Sequence, residues 1–224
     1  MERLDDLLLN DLKIYQDDNL YNFTSDAVLL SKFAQVKKGD VIADFCSGSG
    51  IVGIHLYGLN MDKNISVDLF EIQESLYNLS KKSVKYNNLE DKIFCHNVDL
   101  KVLPKEFYGK FSLVCCNPPY MEVKRGETMK NDSQKIAKAE VEINLEQIIL
   151  SAKLGLKFKG RFCLVLRADR LIDTVCLMKK HKIEPKKLQF VVPKNSPDKT
   201  PYLFLIEGVF GGNSGIKILP NLEN

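Results

Sequence analysis

A chain of 224 residues, 45% apolar and 27% charged, has the size and balance of one ordinary globular domain with a substantial core. No apolar run approaches the length of a membrane span, and Met1-Glu-Arg-Leu-Asp-Asp6 lacks the basic head and apolar core of a signal peptide, so a cytoplasmic location is expected. The net charge of +3 permits a phosphate-bearing partner without demanding one.

In chain order, Leu4, Leu7, Leu8 and Leu12 stand at helical spacing and predict a short amphipathic helix over 4–14. Thr24 or Ser25 can cap a helix running to Ala34, with Asp26 near its positive end. Lys37 to Asp40 is a turn. Val41–Phe45 reads as a first strand, Cys46 to Gly50 as a glycine loop, and 51–59 as a helix. A second strand over 65–70 ends at Glu71. A helix over 75–86 follows, closed by Asn87-Asn88. Residues 92–95 form a third strand, with Asp99 just beyond, and 111–116 a fourth. The polar, lysine-rich residues 121–140 read as a long loop. A helix (141–157), a strand (161–166), a helix (170–180) and β segments near 187–192, 202–209 and 216–218 complete the chain. This alternation predicts an α/β, doubly wound sheet with a largely parallel centre. A single domain is expected, residues 1–40 being a helical cap segment and 41–224 the core.

Ligands of such sheets bind beyond the carboxyl ends of the strands. Asp44, Gly48, Gly50, Glu71, Asp99 and Asn117 all fall there. Gly48 to Gly53 matches G-x-G-x-x-G, with Glu71 about twenty residues on, where an acid binds ribose. A dinucleotide would fit that pattern. Asp44, immediately before the loop, would repel a pyrophosphate and suits a cationic amino or sulfonium group instead. S-adenosylmethionine meets both demands, with Asp99 placed to accept from its adenine amino group. After the fourth strand, Pro118 and Pro119 end the sheet ladder and force Asn117 into extended backbone. The Asn117 side-chain oxygen and the Pro118 carbonyl then become two fixed acceptors beside the Tyr120 ring. That set suits a planar group bearing NH₂. The simpler alternatives are a structural proline turn and, for Asp26, a helix cap. Six cysteines form no CxxC pair, and none of the three histidines is spaced with one as a zinc ligand, so no metal is expected.

Asp44-Phe-Cys-Ser-Gly-Ser-Gly50, Glu71-Ile-Gln73 and Asn117-Pro-Pro-Tyr120 resemble the motifs of the amino-group methyltransferases. Glu2 to Asp5, Leu12 to Gln16, Phe23 to Leu30 and Glu184-Pro-Lys186 are similar to one branch, the bacterial tRNA(Val) adenine-37 N6-methyltransferases. The resemblance implies a class I, Rossmann-like fold of seven mostly parallel strands with an antiparallel C-terminal edge. It implies S-adenosylmethionine as cofactor, held by Thr24, Asp26, Asp44, Cys46, Gly48, Gly50, Glu71, Ile72, Asp99, Leu100 and Asn117. It implies Asn117, Pro118, Pro119 and Tyr120 as the catalytic turn. The substrate would be tRNA, met by Lys124, Arg125, Lys130 and Lys138, and the protein a monomer. Three departures stand out. Cys46 replaces a glycine usual in that branch, Lys138 alone stands where arginine is usual, and Leu219 to Leu222 lacks a second proline. Rival readings are methylation of a protein glutamine amide or of guanine N2 in rRNA, and a protein that binds cofactor and RNA without turnover.

Overall fold

The structure, a computed structural model, describes residues 1–20, 24–119, 144–195 and 197–224. It opens with an antiparallel hairpin, β1 (Glu2–Asp6) and β2 (Lys13–Asp17), in place of the helix expected over 4–14. Two observations explain the difference. Leu8, Asn10 and Asp11 adopt positive φ (51°, 49°, 57°), which turns the chain where a helix would continue. Beyond the turn, Leu12, Ile14 and Gln16 are buried in alternation, the period of a strand. The hairpin is tied to a later helix, α3 (Glu74–Tyr86). Tyr15 N donates to Ser83 Oγ at 2.9 Å. The Asn87 side chain, just past α3, bonds both the N–H and the carbonyl of Lys13 (3.0 and 2.7 Å).

The rest alternates: α1 (Ser25–Phe33), β3 (Val41–Phe45), α2 (Ile51–Gly58), β4 (Ser66–Glu71), α3, β5 (Ile93–Asn97) and β6 (Phe111–Cys116). Then come α4 (Leu145–Gly155), β7 (Leu156–Arg167), α5 (Leu171–Lys180), β8 (Ile183–Val192) and β9 (Leu203–Phe210). Two-residue strands, β10 (Lys217–Ile218) and β11 (Leu222–Glu223), both lie on β8. The main sheet runs β10-β8-β9-β7-β6-β3-β4-β5. The long strands β3 to β9 are the seven expected. They are parallel except β9, which runs antiparallel to both β7 and β8.

Alternation along each central strand feeds two cores, one on each face. Ile42, Val67, Leu69 and Leu113 join Leu30, Ile54 and Val84 of α1–α3. Ala43, Phe45, Phe70 and Val114 join Ile148, Ile149 and Met178 of α4 and α5. Strand order reverses direction at β3, so β3 and β6 flank the crevice where an open parallel sheet takes its ligand.

Candidate active site

The loop after β3 must leave the sheet and enter a helix within five residues. Cys46, Gly48 and Gly50 do so with φ of +56°, +57° and +93°. A side chain at Gly50 would be strained by its φ and crowded as well, a Cβ lying 3.0 Å from Leu69 Cδ1. At Gly53 the clash would be closer still, 2.3 Å from Leu69 Cδ2. Glycine there lets α2 settle on the sheet. Gly53 N donates to Asp44 Oδ2 at 2.9 Å, so the carboxylate sits against the positive end of α2.

Glu71, at the end of β4, is 6% exposed and clamps two segments. Its Oε2 accepts from Gly48 N (2.8 Å) and its Oε1 from Gln73 N (2.9 Å). Burial pushes its pKa up, against the pull of these backbone N–H groups. Burial also lifts the Asp44 carboxyl to about 8, opposed by the Gly53 N–H and aided by the charge of Glu71. Asp99 accepts from Lys101 N (2.8 Å) and starts a 3-10 turn, Leu100–Val102. Asn97, which sequence reasoning passed over, donates to the carbonyls of Glu71 and Ile72 (both 2.9 Å) and braces that loop.

These segments enclose a cleft of about 930 Å³, counted to its open mouth. The expected residues Cys46, Gly48, Glu71, Ile72, Asp99, Leu100, Asn117 and Pro119 line it. So do Ser47, Phe70, Gln73, Leu76 and Val98, which the sequence did not single out. Phe70, Leu76 and Val98, with Ile72 and Leu100, make an apolar slot beside Glu71 and Asp99. Ser47 and Gln73 lie inside the quoted motifs, and Phe70 and Val98 show in the chain only as neighbours of Glu71 and Asp99. Asp44 and Gly50 stand behind the loop, outside the lining, and Pro118 is buried beneath the turn. Thr24 occupies the cap position of α1 without a side-chain cap bond, and Asp26 is buried in its first turn. Neither lines the cleft. Tyr120, Lys124, Arg125, Lys130 and Lys138 lie outside the described residues.

Three buried oxygens around the cleft have no hydrogen-bond partner among the described residues: Asp44 Oδ1, Ser47 Oγ and Asn117 Oδ1. A buried acceptor left unpaired is costly, and its presence at a ligand site points to the ligand's donors.

Residues 23–182 match the family model of the methyltransferase small domain. The chain belongs to that family. It is 34% identical over 95 residues to the release factor glutamine methyltransferase of Clostridium botulinum, covering 42% of this chain and 32% of that one. It is 23% identical over 142 residues to the tRNA1(Val) (adenine(37)-N6)-methyltransferase of Citrobacter koseri, covering 63% and 57%. The chain thus spans between a third and three fifths of the length of these curated relatives. Among solved structures, one described as a predicted O-methyltransferase from Agrobacterium tumefaciens superposes with a TM-score of 0.67 at 16% identity, over 89% of this chain and 88% of that one. A TehB-like SAM-dependent methyltransferase from Corynebacterium glutamicum gives 0.53 at 15% identity, over 84% and 88%. The fold is that of the class I methyltransferases, and S-adenosylmethionine is the cofactor. The residues present fit it. An apolar slot flanked by two acids suits a nucleoside, and an unpaired buried carboxylate oxygen behind a glycine loop suits a cation.

Proposed function

We propose that this chain methylates N6 of an adenine in tRNA, and that the adenine directly 3′ of the anticodon in a valine tRNA is the target. The observation that carries this reading is Asn117. Its Oδ1 is a buried acceptor with no partner among the described residues, on a residue that lines the cleft and on backbone stiffened by two prolines. Residues 1–40 and 41–224 act as one domain in this reading.

In this assignment Glu71 takes the ribose hydroxyls of the cofactor and Asp99 its adenine amino group. Ile72, Leu76, Val98 and Leu100 form the wall of the nucleoside slot. Cys46, Gly48 and Gly50 shape the loop for the methionine part, and the charge of Asp44 lies behind it. Thr24 and Asp26 belong to the same binding region through the start of α1. The bound cofactor supplies an electrophilic methyl group on a sulfonium centre. Asn117 Oδ1 and the Pro118 carbonyl accept both N–H bonds of the substrate amine, which draws its lone pair out of conjugation with the ring. Pro119 holds the turn in shape, and Tyr120 stacks on the base. The chain's contribution is position and hydrogen bonding more than proton transfer. The target base must leave its stack to reach the turn. Lys124, Arg125, Lys130 and Lys138 would meet the phosphates around it.

A second reading is favoured by the 34% identity to a glutamine methyltransferase, since a glutamine amide presents the same planar NH₂. Labelled S-adenosylmethionine offered to total RNA and total protein separates the two. N6-methyladenine in digested tRNA is the expected product. Label confined to a protein glutamine transfers the assignment to the second reading.

A further inference from the structure

The end of the sheet away from the catalytic turn gathers cations around an exposed ring. β6 begins at Phe111, six residues before Asn117, so at about 3.3 Å per residue its start lies about 20 Å from that residue. There the register of β7 against β6 shifts between Phe111 and Leu113, and Lys157, Phe158 and Lys159 stand out exposed. Antiparallel β9 brings Phe210 to the same end, and β8 brings Ile183. The segments are bound together. Gly211 N donates to the Lys182 carbonyl (2.8 Å), and Lys159 Nζ donates to the Gly211 carbonyl. Gly211 packs so near the Phe158 ring that a Cβ there would come within 2.2 Å of it. Phe158 itself is 69% exposed, edge-on to Phe210 at 6.0 Å, with Lys159 Nζ 4.9 Å from its centroid.

Charge at this end is unbalanced. Lys179 pairs with Glu184 and Lys180 with Glu146, while Lys157, Lys159 and Lys182 have no carboxylate partner among the described residues. Lys159 and Lys182 adopt φ of +66° and +63°, a region where glycine is the easier residue. The Lys159 side chain spans from this bend to the Gly211 carbonyl. An exposed aromatic face among cations that have no carboxylate partner among the described residues matches the needs of a nucleic acid, which offers phosphates and bases together.

We propose that Lys157, Phe158, Lys159 and Lys182 form a second RNA-binding surface, which holds the body of the tRNA while the reactive adenine sits at Asn117. The proposal rests on the reading of tRNA as substrate. A duplex rising roughly 3 Å per base pair covers the 20 Å in about seven pairs, so one stem can reach from the turn to the patch. The patch therefore favours a full-length folded tRNA over the isolated stem-loop that carries the target base.

Two variants test it, Lys157→Gln with Lys182→Gln, and Phe158→Ala. Neither lysine side chain has an ion-pair partner to lose among the described residues. Binding of in vitro transcribed full-length tRNA is measured over a salt series. Methylation is compared on full-length tRNA and on the isolated stem-loop, with cofactor-induced melting shifts confirming the fold. The double lysine variant is expected to bind full-length tRNA about tenfold more weakly, with the salt slope reduced by between about 1 and 2 for two lost phosphate contacts. In both variants the ratio of kcat/KM on full-length tRNA to that on the stem-loop should fall toward one. Unchanged affinity, slope and ratio, on a tRNA that the parent chain does methylate, overturn this proposal alone. A parent chain that neither binds nor methylates tRNA removes the substrate reading and this proposal with it.

Discussion

Asn117 and Asp44 are both short polar side chains with one buried oxygen that has no partner among the described residues, yet their surroundings differ. Asn117 is neutral at every pH and can only accept or donate. In the proposed reaction its replacement by alanine removes one acceptor from the substrate amine, and turnover should fall about a hundredfold or more. Cofactor affinity, measured by calorimetry, should stay near the parent value. Near-normal turnover would make the turn structural. Asp44 titrates. Burial raises its pKa to about 8, so in the ligand-free protein it holds a proton through neutral pH. A cationic ligand favours the charged form and must expel that proton. Cofactor affinity should therefore rise with pH up to about 8, and Asp44→Asn should flatten the profile. The same raised pKa means that the native state binds a proton the unfolded chain has lost between about pH 4 and pH 8. Its contribution to stability is present below that window and falls as pH rises through it. Glu71 shifts in the same direction and adds the same sign. Asp44→Asn should flatten the fall of the ligand-free melting temperature between pH 5 and about 8, and a pH profile unchanged by that substitution would contradict this account.

At the scale of the element, the decisive contact is that of α2 on β4. Gly53 lies against Leu69 and Val67, where a Cβ would approach 2.3 and 3.0 Å. Gly53→Ala must push the helix off the sheet or force Leu69 from its rotamer. Overpacking of this kind costs about 1–3 kcal/mol. The displacement also moves the Gly53 N–H away from Asp44 and disturbs the loop that lines the cleft. Denaturant melts should show the loss of stability, and cofactor affinity should fall with it. Unchanged stability would mean that the helix has slack the packing does not show. The opposite expectation holds for the hairpin. Asn87→Ala removes the clamp on both backbone groups of Lys13 and leaves them unpaired, at about 1–3 kcal/mol. The cleft lies at the other end of α3's strand-loop unit, so cofactor affinity should hold while stability drops.

For the whole molecule, cofactor binding and folding are linked, because the cleft exists only when β3, β4, β5 and β6 have assembled. A ligand that binds the native state alone adds roughly 2.7 kcal/mol at a hundredfold excess over its Kd. S-adenosylmethionine and its demethylated product should raise the melting temperature, and nicotinamide dinucleotides should not. Stabilisation by a dinucleotide and none by the sulfonium compound would overturn the placement of the cofactor.

The residues that end strands were readable from the chain because their chemistry is local. Proline cannot donate to a ladder, glycine alone turns freely at positive φ, and acids that follow apolar runs fall at strand ends. So the loop at Gly48, the acids Glu71 and Asp99, and the turn at Asn117 stood out before any fold was known. The N-terminal segment was misread because its leucines satisfy a helical period in isolation. Its hairpin forms against Ser83 and Asn87, some seventy residues away, and no local pattern reports that partner. The apolar wall of the cleft has the same origin. Phe70, Leu76 and Val98 read as ordinary core residues until β4, α3 and the end of β5 are set side by side. So does the cluster at Lys157, Lys182 and Gly211, three separate stretches that only the pairing of β7, β9 and β8 brings to one end of the sheet. Local backbone chemistry determined which residues could serve a ligand, and long-range strand pairing decided which of them meet.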